Sequence, residues 1–210
     1  MSSVGIIANP LAGKDIRRLV SQANVVSNQE KANTLRRVFS GLLTMGVKKI
    51  FVMPDITDLT REAREDVQGK IDIELLEIGL LDQTGTSTIA AELMEQNNVD
   101  CIITLGGDGT TLRTFRNLRN ETPILTINVG GNRGILSEIT LDDFDDAITA
   151  ISKNQIWLDN RTRVVASCNG EEFAPALNEI FVNRKNLTKT AEFEIRFQND
   201  TVKQKMDGVI

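Results

Sequence analysis

The chain has 210 residues, of which 40% are hydrophobic and 25% are charged, and its formal net charge is −5. This composition is typical of a globular protein, and the negative balance argues against a nucleic-acid partner because it provides no broad positive surface for phosphates. The sequence contains no histidine. Catalysis by Ser-His-Asp or Cys-His groups, and metal binding through histidine, are therefore excluded within this chain.

The cysteines and the apolar segments give no sign of an extracellular or membrane protein. Cys101 and Cys168 form no Cys-x-x-Cys pattern, so neither a disulfide framework nor a zinc site is predicted. The first residues lack the basic and apolar segments of a signal peptide, and no stretch approaches the roughly 18 apolar residues of a membrane span. These features predict a cytoplasmic protein without a membrane partner.

The first part of the chain alternates short apolar segments with amphipathic ones. Strands are predicted at residues 4–8, 49–53, 71–78, 100–105 and 123–128. Helices are predicted over a segment that contains residues 35–43 and ends at Gly46, and over residues 57–67, 86–96, 110–118 and 141–153. Strands that alternate with helices in this way predict an α/β fold, a Rossmann-like parallel sheet with helices on both faces.

The last part of the chain has a different pattern. After about residue 154 the long helical patterns stop, and strand-like segments follow at residues 161–167, 179–182 and 192–198. We therefore predict an α/β nucleotide-binding domain over residues 1–154 and a partial β-rich domain over residues 155–210. Residues 206–210 read as a turn entering a strand, so the second domain is expected to be truncated.

A glycine-rich turn, Gly106-Gly107-Asp108-Gly109-Thr110, follows the fourth predicted strand. Glycines let a phosphate approach the main chain closely, N–H groups at a helix start point toward its oxygens, and Thr110 is expected to cap that helix. A carboxylate beside a phosphate is repelled by it, so Asp108 is explained if it orients a metal ion or accepts a proton from an attacking hydroxyl. The alternative is a tight Asp-Gly turn without a function.

This turn resembles the GGDGT signature that NAD kinases share with diacylglycerol-type lipid kinases, with a related form in phosphofructokinases. Asn178-Glu179 resembles the second NAD-kinase motif, and residues 205–210 resemble the beginning of the third. An asparagine amide can read an adenine edge, and a carboxylate can accept two hydrogen bonds from a ribose diol. The alternative for each is ordinary surface: an Asx turn with an exposed acid, or solvated charged residues.

Two further loops share features with these kinases. Residues 9–15 resemble the Asn-Pro-x-Ser-Gly loop of lipid kinases, which also occurs in the NAD-kinase-like branch that includes the acetoin-catabolism protein X. Gly13 and Lys14 could reach nucleotide phosphates there, or could belong to a polar loop without that role. Residues 123–130 and 134–139 resemble the strand and loop that follow the GGDGT turn in NAD kinases, whereas residues 130–133 depart from the family pattern.

The resemblance implies a phosphotransferase that moves the γ-phosphoryl group of ATP, or of another polyphosphate, to the adenosine ribose 2′-hydroxyl of NAD to give NADP. It implies that Asp108 is the catalytic base. Mg²⁺ would arrive with ATP rather than at a metal site of the protein, small-molecule nucleotides would be the partners, and a homo-oligomer is expected. A lipid kinase and an inactive nucleotide-binding fragment remain as alternatives. The implied nucleotide-binding residues are Gly106, Gly107, Gly109, Thr110, Asn178, Glu179, Lys189, Lys205 and Asp207.

Overall fold

The computed structural model describes residues 1–10, 27–79, 83–129, 134–140, 142–186 and 188–210. They form two compact units, Met1–Asn160 and Arg161–Ile210, whereas the sequence predicts a division after residue 154. Within the described ranges, none of the helices combines the length and the apolar character that a membrane crossing needs.

The first unit is built around a six-stranded sheet in which all strands run parallel. The strand order is β3-β2-β1-β4-β5-β6, which confirms the predicted Rossmann-like sheet. The strand order reverses between β1 and β4, and in such sheets ligands bind beside the carboxyl ends of the two strands at this point. The elements are β1 (Ser3–Ala8), α1 (Asn28–Thr44), β2 (Lys49–Val52), α2 (Arg61–Asp66), β3 (Asp72–Leu75), α3 (Gln83–Gln96), β4 (Cys101–Leu105), α4 (Asp108–Asn117), β5 (Ile124–Asn128), β6 (Ile139–Thr140) and α5 (Phe144–Ser152).

Buried side chains cover both faces of this sheet. Val4 and Ile6 of β1 belong to one apolar cluster with Phe39 of α1, while Ile7 belongs to a second cluster with Met94 of α3. Successive strand residues point to opposite faces, so a continuous apolar run such as β1 supplies both clusters. This arrangement confirms the predicted helices on both faces of the sheet.

The ends of two helices show how local hydrogen bonds set their length. Ser27 and Glu30 form a reciprocal capping box at the start of α1, and Gly46, with φ of +74°, follows its end as predicted. The prediction that a helix begins at residue 57 is wrong, because α2 begins at Arg61. The Asp55 carboxylate accepts hydrogen bonds from the N–H groups of Thr57 (2.8 Å) and Leu59 (3.1 Å), which holds that segment in a turn.

The described strands of the second unit form antiparallel pairs: β7 (Ser167–Cys168) with β8 (Glu171–Glu172), β9 (Val182–Asn183) with β12 (Gly208–Val209), and β10 (Ala191–Phe197) with β11 (Asp200–Met206). The predicted strand at 192–198 is confirmed as β10. The predictions at 161–167 and 179–182 are mostly wrong, because their segments find few backbone partners: one bridge at Val164, the two-residue β7, and β9. None of the described residues of this unit is buried.

Candidate functional site

The glycine-rich turn joins β4 directly to α4. All five residues of β4 are buried, and the Gly106 N–H then donates to the Ile127 carbonyl of the neighbouring strand at 3.0 Å. The helix begins at Asp108 with Gly107 as its N-cap, so the prediction that Thr110 caps the helix is wrong. Thr110 is the third helical residue, and its N–H donates to the Gly107 carbonyl at 2.9 Å. The extended backbone of Gly107 (φ −98°, ψ −172°) supplies the capping conformation three residues earlier than expected.

Thr110 instead joins the turn to the end of β1. Its buried hydroxyl accepts a hydrogen bond from the Asn9 side-chain amide at 3.0 Å, and the Asn9 N–H donates to the Leu105 carbonyl at 3.0 Å. A Cβ atom at Gly106 would overlap the Thr110 side chain, so glycine is required there for packing. The sequence-based prediction missed this role of Asn9. Its position directly after β1, the strand beside β4, is the signal that could have revealed it.

The start of α4 has backbone donors without an acceptor among the described residues. Within the described part of the chain, the N–H groups of Gly107, Asp108 and Gly109 have no hydrogen-bond acceptor. Apart from adjacent residues and the backbone of the helix itself, no described atom lies within 4 Å of a Cβ atom built at Gly107 or Gly109. Free donors at a helix start, together with the helix dipole, favour binding of an anion such as a phosphate group.

The Asp108 carboxylate is held by the segment of residues 134–137, here called the carboxylate-binding loop. Its Oδ1 atom accepts hydrogen bonds from the N–H groups of Leu136 (3.1 Å) and Ser137 (3.0 Å) and from the Ser137 hydroxyl (2.8 Å). Its Oδ2 atom accepts one from the Ile135 N–H at 2.9 Å. A Cβ atom at Gly134 would overlap both Asp108 Oδ1 and Ser137 Oγ, so only glycine fits there.

The carboxylate-binding loop is also tied to β5. The Thr126 hydroxyl donates to the Leu136 carbonyl at 2.6 Å, and the Asn128 side-chain amide donates to the Ser137 carbonyl at 3.3 Å. Ser137 itself is completely buried. The sequence-based prediction noted the family likeness of residues 134–139 but assigned Ser137 no partner, because a contact across 29 positions leaves no local pattern.

The hydrogen bonds to Asp108 lower its pKa by more than its partial burial raises it. Burial raises the pKa of this carboxyl group, but the Ser137 hydroxyl and the N–H groups of Ile135, Leu136 and Ser137 lower it, and the net pKa lies below its ordinary value. Asp108 is therefore ionised at neutral pH. Its low pKa makes it a weak base in this state, so it can accept a proton only from a group that is held directly against it.

The predicted dinucleotide-binding residues all lie in the second unit, and all are exposed. Asn178 and Glu179 follow the bridge between Val164 and Ala176 and precede β9, so they are not at the start of a strand as predicted. Lys189 lies between β9 and β10, and Lys205 lies on β11 opposite Glu192.

Asp207 forms an ion pair that the sequence did not suggest. Its Oδ1 atom lies 2.7 Å from Arg184 Nη1, and its carbonyl accepts a hydrogen bond from the Arg184 N–H at 3.0 Å. The structure therefore brings Asp207 together with Arg184, a residue that sequence reasoning had missed. Gly13 and Lys14, and the loop residues 130–133, lie outside the described residues.

The described residues contain no group of three or more cysteine, aspartate or glutamate side chains that could hold a metal ion. Mg²⁺ prefers several oxygen ligands, so the described carboxylates do not by themselves fit a resident magnesium site. The phosphate groups of a nucleotide are an alternative source of these ligands.

The strand order, together with a helix that starts where that order reverses, defines a domain of the Rossmann-like α/β class. Residues 4–156 match the family model described as the ATP-NAD kinase N-terminal domain. Because this match covers well over half of the chain, the chain belongs to the NAD kinase family, which confirms the predicted resemblance.

Individual relatives agree with this assignment. The chain is 33% identical over 161 residues to an NAD kinase from Methanosarcina mazei, covering 75% of this chain and 54% of the relative. It is 31% identical over 137 residues to the acetoin catabolism protein X of Cupriavidus necator, covering 61% of this chain and 38% of that protein. The chain thus spans about half or less of the length of these relatives.

A solved structure has the same fold. The crystal structure of yeast NADH kinase complexed with NADH matches with a TM-score of 0.65 and 17% sequence identity, covering 99% of this chain and 56% of that one. At this level of identity the likeness concerns the fold alone. It includes the β-rich second unit, because nearly the whole chain is covered.

Proposed function

We propose that the protein transfers the γ-phosphoryl group of ATP to the adenosine ribose 2′-hydroxyl of NAD, giving NADP and ADP. The observation that carries this proposal is an ionised carboxylate, Asp108, beside free N–H donors at the start of α4. Relatives that bear the name NAD kinase support the choice of NAD as the acceptor.

Each group at the turn would have a distinct role in this reaction. A bond forms between the 2′-oxygen and the γ-phosphorus, the bond from this phosphorus to the β,γ-bridging oxygen breaks, and ADP leaves. The proton of the 2′-hydroxyl passes to Asp108. The N–H groups of Gly107 and Gly109 would hold phosphate oxygens, because they lie at a helix start and have no acceptor among the described residues.

The phosphates and the carboxylate repel each other, and two features reduce this repulsion. The carboxylate-binding loop satisfies Asp108 with four hydrogen bonds. Mg²⁺ carried by ATP would neutralise part of the phosphate charge. Asn178, Glu179 and Asp207, with Lys189 and Lys205, remain the proposed contacts to the dinucleotide. A cytoplasmic location, a homo-oligomeric state and the choice between ATP and another polyphosphate remain predictions.

One observation favours a lipid kinase as the second candidate. Several large apolar side chains of the second unit are exposed, as a lipid substrate would require. They include Phe173, Phe181, Phe197 and Val202. The family match and the names of the relatives nevertheless favour NAD.

The two candidates are separated by supplying both acceptors. The protein is incubated with ATP and Mg²⁺ and either NAD or diacylglycerol in mixed micelles. NADP is measured with an NADP-specific dehydrogenase, and phosphorylated lipid is measured from labelled ATP. We expect NADP and no labelled lipid. Labelled lipid without NADP would overturn the proposal in favour of the lipid kinase. The absence of both products would reject both activities.

A further inference from the structure

The two oxygens of the Asp108 carboxylate differ in how many hydrogen bonds they accept. Among the described residues, Oδ1 accepts three hydrogen bonds, from Leu136 N–H, Ser137 N–H and the Ser137 hydroxyl, whereas Oδ2 accepts one, from Ile135 N–H. A carboxylate oxygen has two lone pairs. With the described donors alone, Oδ1 is saturated, and Oδ2 retains capacity for one further donor.

The packing around the carboxylate also fixes its orientation. Gly134 approaches Asp108 Oδ1 so closely that a Cβ atom could not be accommodated between them. The Ser137 hydroxyl, at 2.8 Å from Oδ1, is the only side-chain donor to this carboxylate among the described residues. Rotation of Asp108 about its side-chain bonds would break several of these contacts at once.

Ser137 is itself held in place by β5. It is completely buried, and the Asn128 amide contacts both its carbonyl (3.3 Å) and its hydroxyl (3.4 Å). The donor that orients Asp108 therefore lies on a segment anchored to the central sheet. This anchoring preorganises the carboxylate, which lowers the cost of reaching a reactive geometry.

From these contacts we infer that Ser137 is a positioning residue for phosphoryl transfer: its hydroxyl holds Oδ1 of Asp108 so that Oδ2 faces the attacking hydroxyl and receives its proton. This inference rests on the proposed function. Ser137 acts through Asp108 and contacts no substrate. Its loss should therefore reduce the rate of transfer and leave substrate binding largely unchanged.

The test compares steady-state kinetics of NADP formation for the whole chain and three variants. Ser137→Ala removes the hydroxyl, and we expect kcat to fall about tenfold while KM for NAD and ATP changes less than about twofold. Ser137→Thr keeps a hydroxyl, and kcat should recover to within about threefold of the unsubstituted protein. Gly134→Ala forces a methyl group against Oδ1, and kcat should fall about 100-fold or more.

Thr34→Val provides a matched control for loss of a buried hydroxyl. Thr34 lies on α1, and its hydroxyl donates to the Glu30 carbonyl within the same helix at 2.9 Å. This variant should keep the kcat of the unsubstituted protein. Thermal unfolding is measured for every variant, so that kcat values are compared only between folded proteins. If Ser137→Thr does not fold, Gly134→Ala still tests the inference.

The outcomes separate this inference from the proposed function. If the unsubstituted chain forms NADP and folded Ser137→Ala keeps its kcat, the inference fails and the proposed function stands. A raised KM with unchanged kcat would also overturn the inference, because Ser137 would then act on binding. If the unsubstituted chain forms no NADP, the proposed function fails and the inference fails with it.

Discussion

The two units of the chain bury their apolar residues to very different extents. In Met1–Asn160, side chains from both faces of the sheet form two buried clusters, and the residues that hold Asp108 are anchored to β5. In Arg161–Ile210, no described residue is buried. A candidate site that depends on fixed geometry is thus found on the unit that has a core, because packing is what fixes side-chain positions.

The hairpin of β10 and β11 illustrates the second unit. Its registered pairs, such as Ile195 with Val202, place apolar side chains on one face, while Glu194 with Lys203 belongs to the charged face. This pattern is that of a strand pair with one face in a core, yet Phe197 is 69% exposed and Val202 is 52% exposed. Because an isolated hairpin is only marginally stable in water, we expect the second unit to contribute little to the free energy of unfolding.

The strongest challenge to this comparison is to separate the two units. We expect a fragment of residues 1–160 to unfold cooperatively, since both buried clusters lie within it. A peptide of residues 161–210 should show no cooperative transition. Circular dichroism during thermal unfolding measures both. A sharp transition in the isolated 161–210 peptide would contradict the comparison.

A pair of matched substitutions tests the difference in burial between the two units. Phe39 is fully buried in α1, whereas Phe197 on β10 is 69% exposed. Phe39→Ala should lower the free energy of unfolding by roughly 3–5 kcal/mol, because it removes buried apolar area and leaves a cavity. Phe197→Ala should change it by less than roughly 0.5 kcal/mol. Chemical denaturation measures both, and equal losses would show that the second unit has a core of comparable strength.

The smallest expected effect is that of salt on the pKa values of two carboxylates, Glu194 and Asp108. The pKa of Glu194 is lowered by hydrogen bonds from Lys203 and Arg196 on the exposed hairpin, whereas that of Asp108 is lowered, against its burial, by neutral donors of the carboxylate-binding loop. Salt screens exposed charges but not hydrogen bonds from neutral groups. Raising the salt concentration to about 1 M should therefore return the pKa of Glu194 toward its ordinary value and leave that of Asp108 low.

The lowered pKa of Asp108 also determines how the stability of the folded protein changes with pH. Because the folded-state pKa of Asp108 is lowered, its carboxylate stabilises the folded protein above the unfolded-state pKa, and this contribution is lost as the pH falls through the folded-state value. Ser137→Ala should raise the pKa of Asp108, so that the loss begins at higher pH. NMR titration of the side-chain carboxyl groups measures these pKa values. An unchanged pKa of Asp108 in Ser137→Ala would show that the hydroxyl does not contribute.

Local sequence patterns were sufficient for the main elements of the first unit. Buried strands such as β1 and β4 read as continuous apolar runs, and Gly46 after α1 has the positive φ that its position predicted. Local sequence patterns failed where a tertiary contact determines the role of a residue. The Thr110 hydroxyl accepts a hydrogen bond from the Asn9 side chain, and Thr110 does not cap α4. The predicted strand at residues 161–167 failed because its backbone pairing is limited to a bridge at Val164, a hydrogen bond to the Ala166 carbonyl and the start of β7.

The candidate site was predictable only in part. The glycines and Asp108 form a contiguous pattern whose chemistry can be read directly, as can their position after a buried strand. The contact between Asp108 and Ser137 spans 29 positions, and the ion pair between Arg184 and Asp207 joins two segments with no shared motif. Such contacts follow from strand order and loop packing, which the sequence does not display locally.

The central claim is that Asp108 accepts the proton in phosphoryl transfer, and Asp108→Asn tests it most directly. The asparagine oxygen can still accept the three hydrogen bonds made to Oδ1, so the protein should remain folded and bind NAD with nearly unchanged affinity. Asp145→Asn is the control, because Asp145 on α5 is exposed and forms an ion pair with Arg37 on α1. We predict that Asp108→Asn lowers the rate of NADP formation by about 1,000-fold or more, while Asp145→Asn keeps it. An undiminished rate in folded Asp108→Asn would contradict the claim.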